Sequence, residues 1–407
     1  MTLAFATGPL AGIDLASPRL HAERDLADVW QLLRDEDPVV WHPAGAGGFW
    51  VVTRHAHALA VYRDSDTYTS KRGNVLATLL AGGDPAGGQM LVVSDGPRNL
   101  EIRRRLLRAF TPAALRDLSE RIARSTVALV QAAAARSECE FSADVAEHIP
   151  LAAICDLLTI PEPDRRPLLA HARACLAAES ADATDTDARL ARNEILMYFA
   201  RLAMRRKNVP GDDVFAILLQ LTREPLALSQ QELLLNSYSL LLGGDETSRL
   251  SLVGTIKALA DFPDEWQRLR RGEVPVDSAV EELLRWTTPA MHSGRTATVA
   301  HELAGKSIAA GHTVTVWNSA ANFDPAEFAE PHRLDLGRRP NRHLAFGHGH
   351  HFCLGAQLAR IELSALLQAL LATTERIELT GEPRRLYSNF LGGYGKLPVR
   401  LHPRAAT

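Results

Sequence analysis

Phe346-Gly347-His348-Gly349-His350-His351-Phe352-Cys353-Leu354-Gly355 is a glycine-punctuated loop that ends on a single cysteine. Behind it, Leu358, Ile361, Leu366 and Leu370 fall close to helical spacing, which predicts an amphipathic helix over 354–372. Cys353 then stands at a helix N-terminus, where backbone N–H groups and the helix dipole favour a thiolate. One soft sulfur ligand suits a single iron better than a four-ligand cluster. Gly347 and Gly349 allow a close approach and backbone angles that a Cβ resists. Gly355 would let the helix lie against something flat. The competing reading is a buried structural cysteine, the commoner fate of a lone thiol.

Outward from this loop, the chain runs to 407 residues, 46% of them hydrophobic, enough for a large core. No linker, repeat or low-complexity tract divides it, so residues 1–407 read as one unit. Helical periodicity dominates, at roughly 24–35, 54–63, 98–109, 112–136, 143–158, 163–176, 187–207, 228–260, 276–287 and 354–373. Short β-like runs fall near 38–42, 48–53, 296–300, 306–317 and 397–401. The expected fold class is mainly α with a small β region. The net charge of −3 argues against general nucleic-acid affinity. No apolar run reaches the roughly 18 residues that span a bilayer. Met1 to Ser17 lacks a basic region ahead of an apolar run, so a cytoplasmic protein is expected. Cys139, Cys155, Cys175 and Cys353 are too scattered for a disulfide scaffold or a CxxC metal site.

Two further segments carry chemistry. Within the predicted helix 228–260 stands Leu242-Gly243-Gly244-Asp245-Glu246-Thr247-Ser248. Each glycine inside a helix costs roughly 1 kcal/mol relative to alanine. One reading is a kinked core helix with a solvated turn. The other is a local opening of the ladder that admits a diatomic ligand, with Glu246 and Thr247 passing protons to it. Glu282-Leu283-Leu284-Arg285 places an acid and an arginine on one helix face, a pair that is usually surface decoration.

The spacing Phe, two residues, Gly, three residues, Cys, one residue, Gly resembles the cysteine loop of the haem-thiolate monooxygenases, the cytochrome P450 superfamily, and particularly bacterial members that tailor specialised metabolites. Gly243-Gly244-Asp245-Glu246-Thr247 is similar to that family's oxygen-activation motif, and Glu282 with Arg285 to its Glu-x-x-Arg pair. The resemblance implies a single-domain fold with haem b between the long central helix and the cysteine-loop helix, and with Cys353 as the iron ligand. It implies Thr247 as the hydroxyl that hydrogen-bonds O2, and Glu246 as the proton relay. Phe346 would shield the sulfur, with Gly347 and Gly355 beside the cofactor. The expected propionate contacts are Arg295, His343, His351 and Arg103, with Asn99 standing where the family carries a histidine. Arg333 is expected to join Glu282 and Arg285 in a buried structural triad. A rival zinc site at His348, His350 and His351 would need ligands that converge, which neighbours in a tight loop do not.

The resemblance also implies a substrate pocket drawn from Leu76, Met90, Val92, Asn236, Leu240, Gly243, Gly244, Met291, His292, Phe390 and Leu391, with a contribution from the hairpin near 165–187. A mainly apolar wall with a few anchors suits a medium-sized organic molecule. Such a molecule would be a natural product or a carrier-bound amino acid, with a terpenoid or fatty acid as the alternative. The chain contains no flavin or iron–sulfur motif, so electrons are expected from an external ferredoxin and its NAD(P)H reductase. A small acidic ferredoxin would dock on the Cys353 side, steered by Arg104 and Arg108. The other classes are a haem-binding protein without turnover and a helical scaffold in which Cys353 is structural.

Overall fold

The computed structural model describes residues 12–45, 47–176, 185–223 and 225–404. Its centre is the helix Gln230–Asp261, which opens on a capping box. The Ser229 hydroxyl accepts from Glu232 N–H while the Glu232 carboxylate accepts from Ser229 N–H. Leu241, Leu252, Val253, Ile256 and Leu259 of this helix are buried in the main apolar cluster. The same cluster takes in the helices Arg116–Ala134, His148–Leu157 and Ala356–Thr373. The last of these carries Leu358, Leu363, Leu366, Leu367 and Leu370 into the core, leaving the Cys353 loop at its N-terminal end.

A five-stranded sheet forms a second layer. Its order is Val39–Ala44, Gly47–Val52, Thr313–Trp317, His292–Ala297 and Tyr68–Thr69, and only the pair Gly47–Val52 with Thr313–Trp317 is parallel. The strand His292–Ala297 projects alternate side chains to opposite faces, which puts Ser293 and Arg295 on the same side.

Element types follow the periodicity, and the differences have local causes. The expected strand 306–317 is split into Lys306–Ile308 and Thr313–Trp317 by a turn in which Gly311 has φ +85°. The expected helix 143–158 is a π-helical turn, Ser142–Ala146, followed by His148–Leu157. Val214–Leu221, capped by the Asp213 carboxylate on Ala216 N–H, is apolar on nearly every face and so carries little amphipathic signal. No described helix is long and apolar enough to cross a membrane.

Glu282 and Arg285 are both fully buried, with Arg285 Nε donating to Glu282 Oε2 at 2.8 Å and a second N–H to Oε1 at 2.8 Å. Arg285 also donates to the carbonyls of Asn322 (2.8 Å) and Pro331 (3.1 Å). The third arginine is Arg338, a correction to the sequence expectation. Arg338 Nε donates to both Glu282 oxygens at 3.1 Å, whereas Arg333 is 62% exposed and pairs with Glu330. The Arg338 guanidinium, only 10% exposed, also donates to the carbonyls of Ala329 and Arg333, so the turn folds back on itself and brings position 338 to the acid. Asn341 Nδ2 adds a bond to Glu282 at 3.0 Å, which ties the approach to the cysteine loop onto the helix Val276–Thr287. Arg338→Ala is expected to cost about 1.5–3 kcal/mol in chemical denaturation, and Arg333→Ala to stay within about 0.5 kcal/mol. Equal losses would contradict this assignment.

Candidate active site

Cys353 is held by its backbone, with its N–H donating to Phe346 O at 2.9 Å. Gly347 (φ +65°) and Gly349 (φ +69°) make the preceding turn, and a Cβ on Gly349 would lie 2.5 Å from the carbonyl oxygen of Tyr62. The thiol has accessible surface but is enclosed by protein, because that surface faces an internal cavity of about 320 Å³. Burial pushes its pKa up, against the thiolate expected from helix position. The Gly355 N–H and the charges of Arg103 and Arg360 pull the other way. A metal cation beside the sulfur would favour the thiolate. Phe346 lines the same cavity, with the Arg360 guanidinium 4.8 Å from its ring centroid.

Opposite the cysteine loop, the central helix offers Ser239, Leu240, Gly243, Gly244, Thr247, Ser248 and Ser251 to the cavity. The helix runs unbroken here, so room for a ligand comes from missing side chains and not from a broken ladder. The two glycines serve different neighbours. A Cβ on Gly243 would meet nothing within 4 Å, whereas one on Gly244 would strike Ile154 Cδ1 at 2.7 Å. Gly243 therefore leaves open space, and Gly244 lets the helix His148–Leu157 pack close. The Thr247 hydroxyl lines the cavity and donates to Gly243 O at 3.0 Å.

Glu246 is turned elsewhere. It is buried and forms a two-point ion pair with Arg249, one arm at 2.9 Å, and Arg249 continues to the Ser142 hydroxyl. An arginine three residues on, in a buried setting, holds the carboxylate more strongly than the cavity does. Two other acids lie close behind the wall. Asp245 and Glu362 are nearly fully buried, and among the described residues no hydrogen-bond donor reaches Asp245 Oδ1 or either oxygen of Glu362 with good geometry. Burial, with the Glu246 charge adding, pushes Asp245 up to about 7. Burial, with Asp245 adding and Ser248 opposing, pushes Glu362 up to about 8. The native state thus keeps a proton on Glu362 that the unfolded chain has released. This contribution to stability is full below about pH 4.5 and is lost as pH rises through about 8. In Glu362→Gln that loss should be absent, so the gap between the thermal midpoints of variant and parent should shift in the variant's favour across this interval. A parallel pH dependence would contradict the burial of an ionisable group here.

Of the residues expected to hold an anionic cofactor, Arg295, Arg103 and His351 line the cavity. Arg295 is 5% exposed, stacks over Tyr62, donates to Gly294 O at 2.7 Å, and makes no ion pair among the described residues. Arg103 donates to the Phe352 carbonyl. His351 Nε2 lies 2.9 Å from Asp95 Oδ1. His343 is a correction. Its side chain is buried outside the cavity lining, with Nε2 3.2 Å from Glu281, which also binds Arg360. Asn99 lines the cavity, but its Nδ2 is committed to Leu91 O, Ser94 O and Ser94 Oγ at 2.7–2.8 Å and is not free to act as a cofactor donor.

Val92, Asn236, Leu240, Gly243, Gly244, His292 and Phe390 line the cavity as the resemblance implied. Four expected residues do not. Leu76 is packed with Trp30 and Trp317, Met90 with Val93 and Leu235, Leu391 with Leu250 and Leu386, and Met291 lies against Gly392. Residues 177–184 of the expected hairpin lie outside the described residues. The structure adds Leu91, Ile154, Ser293 and Tyr62, whose hydroxyl donates to Asn318 Oδ1 at 2.7 Å. His292 accepts from Leu76 N–H at 3.1 Å, and burial lowers its pKa to about 3, which keeps it neutral.

The sequence profile of the cytochrome P450 family matches residues 200–384. The chain is 41% identical over 394 residues to cytochrome P450 NovI of Streptomyces niveus, covering 96% of this chain and 97% of that one. It belongs to the cytochrome P450 family. The P450 OxyD, described as involved in the biosynthesis of vancomycin-type antibiotics, superposes with a TM-score of 0.87 at 36% identity, over 96% of this chain and all of that one. The Mycobacterium marinum P450 CYP268A2, solved with pseudoionone, superposes with a TM-score of 0.88 at 31% identity, over 98% and 100% of the two chains.

This P450 is therefore a monooxygenase that uses haem, O2 and electrons from an external donor. Its cavity fits that cofactor. A buried guanidinium without an acidic partner is costly, and Arg295 has none among the described residues while lining the same cavity as Arg103 and Cys353. Two propionates would meet that demand, with Cys353 as the sulfur ligand.

Proposed function

We propose that this P450 hydroxylates a medium-sized, largely apolar molecule as a tailoring step on a natural product or a carrier-bound amino acid. The observation that carries the reading is the cavity itself. Cys353 and Thr247 both line it, and the space around them has an apolar wall of Leu91, Val92, Ile154, Leu240 and Phe390, with Asn236, Ser239 and His292 among the polar groups that could anchor a ligand. Relatedness to OxyD supports a biosynthetic substrate. A terpenoid substrate is the second reading, favoured by the apolar lining and by likeness to the pseudoionone-bound enzyme.

Bound haem supplies the redox and oxygen-activating chemistry. Cys353 would anchor it, Arg295 and Arg103 would neutralise its carboxylates, and His351 would stand beside them as a ring donor. Thr247 presents a hydroxyl to the cavity and holds a proton there. Glu246 serves as the acid behind Thr247 when its pair with Arg249 opens. A small acidic ferredoxin, delivering electrons from an NAD(P)H reductase, docks on the Cys353 side near the exposed Arg104, Arg108, Arg339 and Arg342. The enzyme works in the cytoplasm as one domain over residues 1–407.

A spin-state screen of natural-product and terpenoid libraries identifies the substrate class. With a hit in hand, Thr247→Ala should lower product formed by roughly 100-fold while ligand affinity and NAD(P)H consumption persist. Product formation at the parent rate would overturn the proton-delivery role.

A further inference from the structure

Two buried asparagines hold the backbone of one residue of the cavity wall, Leu91, one at its N–H and the other at its carbonyl. Asn236, on the central helix, accepts from Leu91 N–H at 2.8 Å through Oδ1, and its Nδ2 donates to Gln89 O (3.2 Å) and Glu232 O (2.7 Å). Asn99, on the helix Pro97–Leu106, reaches Leu91 O at 2.8 Å, and Ser94 O and Oγ at 2.7 Å. Both side chains are at least 95% buried, Asn236 at 3% and Asn99 at 4% exposure. The segment they hold is a single 3-10 turn, Leu91–Val93, too short to fix its own position. It is pinned further by Met90 and Val93 in an apolar cluster with Leu235, and at its end by Asp95, which accepts from Ser70 N–H and faces His351. The two asparagine-bearing helices are themselves bridged by Arg98 and Glu232, one contact at 3.1 Å.

We propose that Asn99 and Asn236 are specificity-determining residues, which hold the carbonyl and the N–H of Leu91 so that Leu91 and Val92 form a fixed wall of the substrate cavity. This rests on reading that cavity as the substrate site. A wall held by side-chain bonds at both the N–H and the carbonyl of one residue selects by shape, because a bulkier ligand must break those bonds to enter. Asn99 is thereby accounted for as a positioning residue of the wall and not as a cofactor contact. It touches no reacting atom and acts through Leu91.

Two readouts on the haem-loaded protein test this. In the unmodified enzyme the Leu91 amide should exchange with deuterium as slowly as amides of the central helix, and exchange at the rate of the exposed loop 81–85 would overturn the proposal. In Asn99→Ala and Asn236→Ala, exchange at Leu91 should rise by about tenfold or more. The ratio of 4-phenylimidazole to imidazole affinity, read from the Soret shift, should change by about tenfold in favour of the larger ligand. Unchanged exchange and an unchanged ratio in both variants would sink it. A protein that shows no thiolate-type CO spectrum would remove the monooxygenase reading, while the exchange result would still decide the clamp. Restoration of the parent ratio by Asn236→Gln would count against the proposal, since the extra methylene moves the amide oxygen away from the Leu91 N–H.

Discussion

Cys353→Ser leaves the fold in place and eliminates product formation. The fold survives because the cysteine side chain supports no core packing. Its surface faces the cavity, and the loop is held by the Cys353 N–H to Phe346 O bond, which serine retains. Turnover is lost because a hydroxyl is a harder, far weaker donor than a thiolate, and the electron push that favours O–O cleavage goes with it. Arg103 and Arg295 remain to hold carboxylates, so some haem should still bind. The check pairs product analysis with thermal unfolding. Retained hydroxylation by a well-folded serine variant would remove Cys353 from the chemistry.

The second large effect is on stability. Glu282→Ala takes away the carboxylate shared by Arg285, Arg338, Asn341 and the Asp335 N–H. Two guanidiniums then face each other in a region where Arg285 is fully buried. Removing one member of a buried pair costs about 3–5 kcal/mol, a large share of the roughly 5–15 kcal/mol that holds a domain together. The loss should appear as a lower denaturation midpoint and as poor haem retention, because the segment 335–341 leads directly into the cysteine loop. A change below about 1 kcal/mol would mean that the network does not position the loop.

Where sequence reading succeeded and where it failed has a physical pattern. The cysteine loop was legible because its glycines are demanded by backbone geometry, most plainly at Gly349, where Tyr62 O leaves no space for a Cβ. The glycine pair of the central helix was legible as an anomaly, but its division of labour was not, since Ile154 lies 90 residues away in the chain. Arg333 and Arg338 could not be told apart by composition or spacing, because a turn decides which one reaches Glu282. The Glu246–Arg249 pair was available as an i,i+3 spacing and shows that an acid beside Thr247 need not face the cavity. Glu362 also left a trace, four residues from Leu358 and four from Leu366 on the buried face of its helix. In the cavity wall the failures are of orientation. Met90 and Leu91 are neighbours in a tight turn, and only the structure shows that the first packs inward and the second faces the cavity. His343 is drawn off by Glu281, a partner 62 residues earlier.

Whether Cys353 presents a thiolate to haem iron in this cavity is tested most directly by the reduced, CO-bound absorption spectrum of the haem-loaded protein. The account predicts the strongly red-shifted Soret band of thiolate ligation. A Soret band at the position typical of histidine-ligated or neutral-thiol haem, in protein that is folded and fully loaded, would contradict it.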